Sequence, residues 1–294
     1  MKRSLLLLLL GLSSLVRVEN ATGSQAVSSA QKPRAKNPPA IEVTYTICEG
    51  FVVQVADKKL MIDVLTARRF LKRQSVPEQV VRQMEAAQPP FDDVDIILAT
   101  HAHLDHFDPD LVVQHMEANT EVELVCPQQA ADIMKALGGL HRVRDRIHAV
   151  PYQPFQPVEL EVKGVQIRCL PLSHNAVEEA DADPGIQNLA YLIKHGGRTI
   201  LHIGDNNLVA TRKSYEQYQL QNESIDLAFL QALFWDEEQF QARRDCVTNL
   251  IRPRHIVYMH LMHGQDLSDV SDEMKAAYPE LTFFEHCLGT RAFE

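Results

Sequence analysis

The stretch ILATHAHLDHFDP, residues 97–109, places His101, His103, Asp105 and His106 within six positions, directly after an apolar run. His101 and His103 stand two apart, so on an extended or turning segment their side chains leave the same side of the backbone. Neutral imidazole and carboxylate are the ligands preferred by Zn2+ and related borderline ions. A polar loop with incidental histidines would be spelled the same way. Three further positions weigh against that bland reading: His174 in LPLSHNA, Asp205 in LHIGDNN and His260 in HIVYMH. Each interrupts apolar surroundings at the C-terminal end of an expected strand, where α/β proteins place their sites.

The elements that must carry these residues alternate along the chain. IEVTYTIC, FVVQVA and KLMID are short β-rich runs, the last two separated by a turn at Asp57-Lys58. SVPEQVVRQMEAA predicts a helix with Ser75 and Glu78 as a capping box and Val80, Val81 and Met84 on one face. VDIILA predicts a buried strand ending at the histidines; DPDLVVQHMEA and PQQAADIMKAL read as helices, EVELVC and RIHAV as strands. The second half repeats this texture with strands at VELEV, VQIRCLPL, LAYLIK and TILHIG, the last two joined by a Gly196-Gly197 hairpin turn. IDLAFLQA, a helix over 237–250 and HIVYMH follow. Two halves of similar order predict one α/β domain with two sheets inside and helices outside.

The 294 residues are 45% hydrophobic and 23% charged, enough to bury a sizeable core. The net charge of −10 argues against nucleic acid, whose phosphates call for clustered Lys and Arg, and leaves a small-molecule substrate as the expected partner. A basic start (Lys2, Arg3), an apolar core over residues 5–16 and small residues after it predict a secretory signal peptide at 1–26. A Pro-rich linker at 27–40 and the domain at 41–294 follow, so the mature protein is expected to be exported, periplasmic or secreted. Membrane attachment is expected only through an uncleaved signal, whose apolar core is short for a full span. Of five cysteines none is at CxxC spacing, and Cys126 and Cys169 lie in apolar runs as core residues.

HxHxDH followed by His, Asp and His at these intervals resembles the metallo-β-lactamase superfamily, and the resemblance covers nearly everything from residue 41 onward. It implies a four-layer αβ/βα sandwich of two internal mixed sheets flanked by helices. It also implies that His101, His103 and His174 hold one metal, that Asp105, His106 and His260 hold a second, and that Asp205 bridges them. Asp63, ending KLMID, matches an early aspartate that orients the site. The implied cofactor is a pair of Zn2+ ions, with Mn2+ or Fe2+ as alternatives. Two such ions lower the pKa of a shared water and supply hydroxide to an electrophilic carbonyl or phosphorus, while Asp105 orients the nucleophile or receives its proton. His260 is preferred to His263 as the last ligand because that ligand closes a strand.

Within the superfamily, the bridging Asp205 argues against an antibiotic-hydrolysing lactamase, and SHN around His174 against glyoxalase II-like thioesterases. Nucleases of the β-CASP type need an inserted domain and a basic surface, and flavodiiron oxidoreductases replace the second histidine by Glu. AYLIKHGGRTILHIGD and RPRHIVYMH are similar to the branch containing ascorbate-6-phosphate lactonase and N-acyl-phosphatidylethanolamine phospholipase D. The expected activity is hydrolysis of an ester, lactone, amide or phosphodiester; the rivals are a non-catalytic metal-binding protein and a metal-dependent oxidoreductase. Residues 175–187 read as a solvated loop or a lid, and Phe234 and Trp235 as pocket wall or packing; His202 and His255 read as structural, and His115, His141, His148, His195 and His286 as surface or helix residues.

Overall fold

The computed structural model describes residues 38–66, 76–174, 185–231, 237–260, 281–282, 284 and 286–294, all within the unit that runs from Ala35 to Glu294. The expected signal peptide, most of the expected linker, the loop at 175–184, Phe234, Trp235 and His263 lie outside the described residues. Among the described residues no helix is long and apolar enough to cross a membrane.

The first sheet is built from β1 (Ile41–Tyr45), β2 (Phe51–Val55), β3 (Lys58–Ile62), β4 (Ile96–Leu98), β5 (Glu123–Pro127), β6 (Ile147–Val150) and β14 (Thr290–Phe293). Its order is β14-β1-β2-β3-β4-β5-β6. The strands pair antiparallel as far as β3 and parallel from β3 to β6. The second sheet contains β7 (Val158–Val162), β8 (Val165–Ser173), β9 (Gln187–His195), β10 (Arg198–His202), β11 (Leu227–Gln231), β12 (His255–Met259) and β13 (Leu281–Thr282). It follows the same plan, antiparallel from β7 to β10 and parallel from β10 to β13. Helices α1 (Glu78–Glu85), α2 (Pro109–Ala118) and α3 (Gln128–Ala136) lie in the crossovers of the first half. Helices α4 (Arg212–Tyr218) and α5 (Glu237–Cys246) lie in those of the second.

The first sheet is buried on both faces, and the alternation of its strands shows how. Phe51, Val53, Leu60, Ile62, Ile96 and Leu98 point into the core shared with the second sheet, among Ile167, Cys169, Tyr191 and Ile193. Their in-between neighbours Val52, Met61 and Ile97 pack with Val80, Val81 and Met84 of α1, Leu111 and Met116 of α2 and Met134 of α3. A strand buried on both faces reads as a continuous apolar run, which is why IILA looks as it does. Tyr215, Tyr218, Cys246 and Leu250 cover the second sheet. The result is the αβ/βα sandwich expected, and all five cysteines are free, Cys126 and Cys169 fully buried.

Local chemistry departs from the expectations in four places. Helix α1 begins at Glu78 with Pro77, not Ser75, at its N-cap; Glu78 pairs with Arg82 one turn on, and Ser75 lies outside the described residues. Beyond Cys246 the chain continues as one π-helical turn over Val247–Ile251 rather than as α-helix to 250. Helix α4 and the short strands β13 and β14 are additions to the expected set. His115, read as a surface or helix residue, does sit on α2 but is fully buried, its Nδ1 2.6 Å from the Met84 carbonyl.

Candidate metal centre

The loop between β4 and α2 is held at both ends. Thr100, just before His101, donates its N–H to Asp63 Oδ1 (2.8 Å) and its hydroxyl to Asp63 Oδ2 (2.6 Å). At the far end Asp108 accepts from the N–H groups of Asp110 and Leu111 and caps α2, with Pro109 in the first helical position. Between them the N–H groups of His106 and Phe107 both reach the His103 carbonyl (3.0 and 2.8 Å), and buried Phe107 anchors the turn. The loop therefore projects its imidazoles from a fixed base.

The second sheet supplies the rest. His174 follows β8, Asp205 follows β10 by three residues, and His260 follows β12 with φ +55°. Tyr191 on β9 donates its hydroxyl to Ala99 O (2.6 Å) and Leu189 its N–H to Thr100 O (2.9 Å), tying the two sheets beside the site. Gly204 has φ +59°, and a Cβ there would lie 2.4 Å from Asn188 Oδ1 and 2.8 Å from the Thr100 Cβ, so only glycine lets the Asp205 loop approach so closely.

All seven residues singled out in the sequence converge. His101, His103, His174 and Asp205 each offer a ligand atom within 4.8 Å of the others. So do Asp105, His106 and His260 together with Cys48, and His106, Asp205 and His260 together with Glu49. Asp205 turns its two oxygens to different neighbours: Oδ1 lies 3.2 Å from His260 Nε2, and Oδ2 lies 3.5 Å from His174 Nε2 and 3.8 Å from His106 Nε2. Gln231 on β11 donates to Asp205 Oδ1 at 2.5 Å and fixes that orientation.

Hydrogen bonding selects the ring nitrogens that face the centre. Thr100 gives its own proton to Asp63, so its oxygen is left to accept from His101 Nδ1 at 3.1 Å. His106 Nδ1 lies 2.9 Å from Asp63 Oδ2 and donates to it. When neutral, both rings thereby carry their proton on Nδ1 and present the Nε2 lone pair, the arrangement that orients metal-binding histidines. The expected orienting role of Asp63 matches this geometry.

The electrostatics divide the centre. Burial, reinforced by neighbouring imidazoles, holds His101 well below and His103 below the ordinary histidine range. Burial also opposes charge on His106, but the surrounding carboxylates Asp205, Asp63 and Asp105 prevail and push it up to about 9. Burial works against ionised Asp205 as well, yet the imidazoles of His106, His174 and His260 hold its carboxyl well below the usual range.

These residues fit a divalent metal. His106 Nε2, His174 Nε2, His260 Nδ1 and Asp105 Oδ1 are buried with no hydrogen-bond partner among the described residues. Orphaned polar atoms are costly in a folded interior, and a cation satisfies several at once. His101 Nε2 and His103 Nδ1 lie 3.2 Å apart, near the ~3.3 Å edge of a tetrahedron of nitrogens around zinc.

Two residues at this centre escaped the sequence reading, Cys48 and Glu49 in the turn between β1 and β2. Glu49 is fully buried and Cys48 nearly so. A carboxylate set inside the apolar run TYTICEGFVVQV was the available signal. His202, expected to be structural, has its Nε2 3.2 Å from the Glu49 carbonyl and accepts from Gly204 N–H at Nδ1.

A family model for a beta-lactamase superfamily domain matches residues 61–280. No match was found among curated proteins. Among solved structures, Igni18, a metallo hydrolase from the hyperthermophilic archaeon Ignicoccus hospitalis, is 18% identical with a TM-score of 0.57, over 87% of this chain and 99% of that one. The isothiocyanate hydrolase from Delia radicum gut bacteria is 17% identical with a TM-score of 0.56, over 86% and 99%. CmlA, a diiron β-hydroxylase from Streptomyces venezuelae, is 14% identical with a TM-score of 0.55, over 88% of this chain and 55% of its own. At such identities the neighbours speak to the fold alone. With the matched family model, the two mixed sheets and the converging His and Asp side chains, the chain belongs to the metallo-β-lactamase superfamily, a family of metal-dependent hydrolases.

Proposed function

We propose that the protein is a dinuclear metallo-hydrolase in which His101, His103 and His174 hold one Zn2+, Asp105, His106 and His260 hold the second, and Asp205 touches both. The observation that carries this reading is Asp205, whose Oδ1 faces His260 while Oδ2 faces His106 and His174. When bound, the ions would supply Lewis acidity and an activated water. The chain's own part is to hold them: Asp63 and Thr100 fix the tautomers of His106 and His101, and Gln231 fixes Asp205. Asp105, with one oxygen 3.8 Å from His106 Nε2 and the other unpartnered among the described residues, is placed to orient the attacking water or take up its proton. The substrate class is an ester, lactone, amide or phosphodiester. The isothiocyanate hydrolase among the structural neighbours suggests adding a heterocumulene to any screen.

The test is metal content of the purified protein together with turnover of ester, lactone, amide, phosphodiester and isothiocyanate substrates, with and without chelator. We expect about two ions per chain, from the ligand count of two sites. Hydrolysis should vanish on chelation and return with Zn2+, Mn2+ or Fe2+. A metal-free preparation with full activity would refute the reading.

A further inference from the structure

Glu49 presents a problem that its own half of the molecule does not solve. Its side chain is fully buried, no basic group among the described residues satisfies either carboxylate oxygen, and the polar group it approaches is another acid, the Asp205 carboxylate, with which it can share only a proton or a cation. The nearest group of opposite potential is His106, whose Nδ1 is 3.5 Å from Glu49 Oε2 but is already engaged by Asp63 at 2.9 Å. Asp63, Asp105 and Asp205 surround it with further negative charge, and among the described residues no Lys or Arg pairs with it. An isolated buried carboxylate in such company is untenable unless a proton or a cation joins it.

The turn that carries Glu49 is built to keep it there. Thr46 donates both its N–H and its hydroxyl to Gly50 O at 2.9 Å, and Gly50 N–H returns to Ile47 O at 2.7 Å. A Cβ on Gly50 would lie 2.2 Å from Thr46 Oγ1 and 2.9 Å from Asp63 O, so the turn closes directly against the residue that orients His106. The second sheet pins the same turn through His260 N–H to Cys48 O (3.1 Å) and His202 Nε2 to Glu49 O (3.2 Å). In the shared plan of the two sheets, this β1–β2 connection is the counterpart of the β8–β9 connection that carries His174.

We infer that Glu49 is a further ligand of the metal ion held by Asp105, His106 and His260. A ligand oxygen of Glu49 already stands within 4.8 Å of those of His106, Asp205 and His260. The proposal rests on the dinuclear reading above and extends it. The half-site around His101 is rich in nitrogen; the one around His106 would draw oxygen from Asp105, Asp205 and Glu49. Oxygen-rich sets suit Mn2+ and related harder ions, so the second position should be the one that accepts Mn2+ in place of Zn2+.

The experiment compares wild type with Glu49→Gln, measuring Zn2+ and Mn2+ affinity by titration into metal-stripped protein and thermal stability with and without metal. Wild type should take up two ions. Glu49→Gln should keep one tight site, bind the other at least about tenfold more weakly, and lose preferentially for Mn2+. Because the substitution replaces a buried carboxyl, crowded by other acids, with a neutral amide of the same shape, the metal-stripped variant should be as stable as metal-stripped wild type or more so. A variant that binds both ions as tightly as wild type, or that no longer folds without metal, overturns the proposal and makes Glu49 structural. A thiolate charge-transfer band in the Co2+-loaded wild type, lost in Cys48→Ser, would give the position to Cys48 and overturn it equally. Wild type that binds a single ion would instead defeat the dinuclear reading itself.

Discussion

The two sheets carry the same plan down to single residues, and they differ in what they do with its two ends. Where the parallel strands begin, Asp95 precedes β4 and Asp226 precedes β11. Asp95 accepts from Lys59 N–H and Lys58 Nζ, both at 3.0 Å; Asp226 accepts from Thr199 N–H (2.9 Å) and Arg198 Nη1 (3.2 Å). Each also sends its own N–H back at 2.8 Å, to Lys59 O or Thr199 O. Where the strands end, the halves part. The first half delivers His101, His103, Asp105 and His106 from one loop, while the second delivers His174, Asp205 and His260 singly, from three strand ends. One end of a repeated plan has thus been kept for strand pairing, and the other has been divided between two kinds of contribution to one site.

The largest effect should come from the residue at which those contributions meet. Asp205→Ala removes the carboxylate whose oxygens face both histidine clusters. We expect it to lower metal content and to reduce turnover by about two orders of magnitude or more. His103→Ala, which touches only the first cluster, should cost one ion and leave the second. Metal analysis paired with turnover decides the matter: an Asp205→Ala protein that keeps both ions and its activity would mean the halves do not share a carboxylate.

The repeated carboxylates at the other end give a second comparison, in stability alone. Arg198 and Asp226 side chains are 3% and 1% exposed, against 19% and 18% for Lys58 and Asp95. Removing one partner of a buried ion pair leaves a charge stranded and costs about 3 kcal/mol or more. The part-exposed pair should be worth roughly 1 kcal/mol or less after solvent screening. Asp226→Ala should therefore lower the denaturation midpoint well beyond Asp95→Ala, and equal losses would show that burial does not separate the two copies.

The same division explains what could be read from the chain. Four ligand-type residues in one loop leave a mark in the sequence that needs no fold to notice. His174, Asp205 and His260 are each a lone polar residue after an apolar run, and only their order and the family resemblance joined them. Glu49 left a fainter mark, one carboxylate in an apolar run, because the contacts that pin its turn at the site come from His202 and His260, more than 150 residues away in the chain. His115 could be read only as a surface or helix residue for the same reason: α2 by itself does not reveal that α1 brings the Met84 carbonyl against it. The capping box at Ser75 and Glu78 misled because Pro77 sits at the N-cap and starts the helix at Glu78. Strand β14 pairs along β1 with three of its four residues exposed, so it has no apolar alternation to announce it.

The most local effect we predict concerns how the first half aims its loop. Asp63 holds His106 directly and His101 through the Thr100 hydroxyl. In Asp63→Asn the shape is kept, but one oxygen becomes an NH2 donor. Whichever way the amide turns, a donor meets a donor, since Thr100 N–H occupies one side and His106 Nδ1–H the other. If the NH2 group faces His106, the ring relieves the clash by moving its proton to Nε2, the nitrogen that should face the metal. If it faces Thr100 N–H, the anchor of the whole loop loosens. Either outcome should weaken metal binding by about 10–100-fold, typical of losing a partner that orients a metal-binding histidine. His106 should suffer more than His101, because its contact is direct, so the two ions should separate in affinity. Stepwise metal titration of the variant would show that separation. Two ions bound with unchanged affinities would mean that Asp63 serves only to fold the loop, and that the aim of His106 is set from the second sheet.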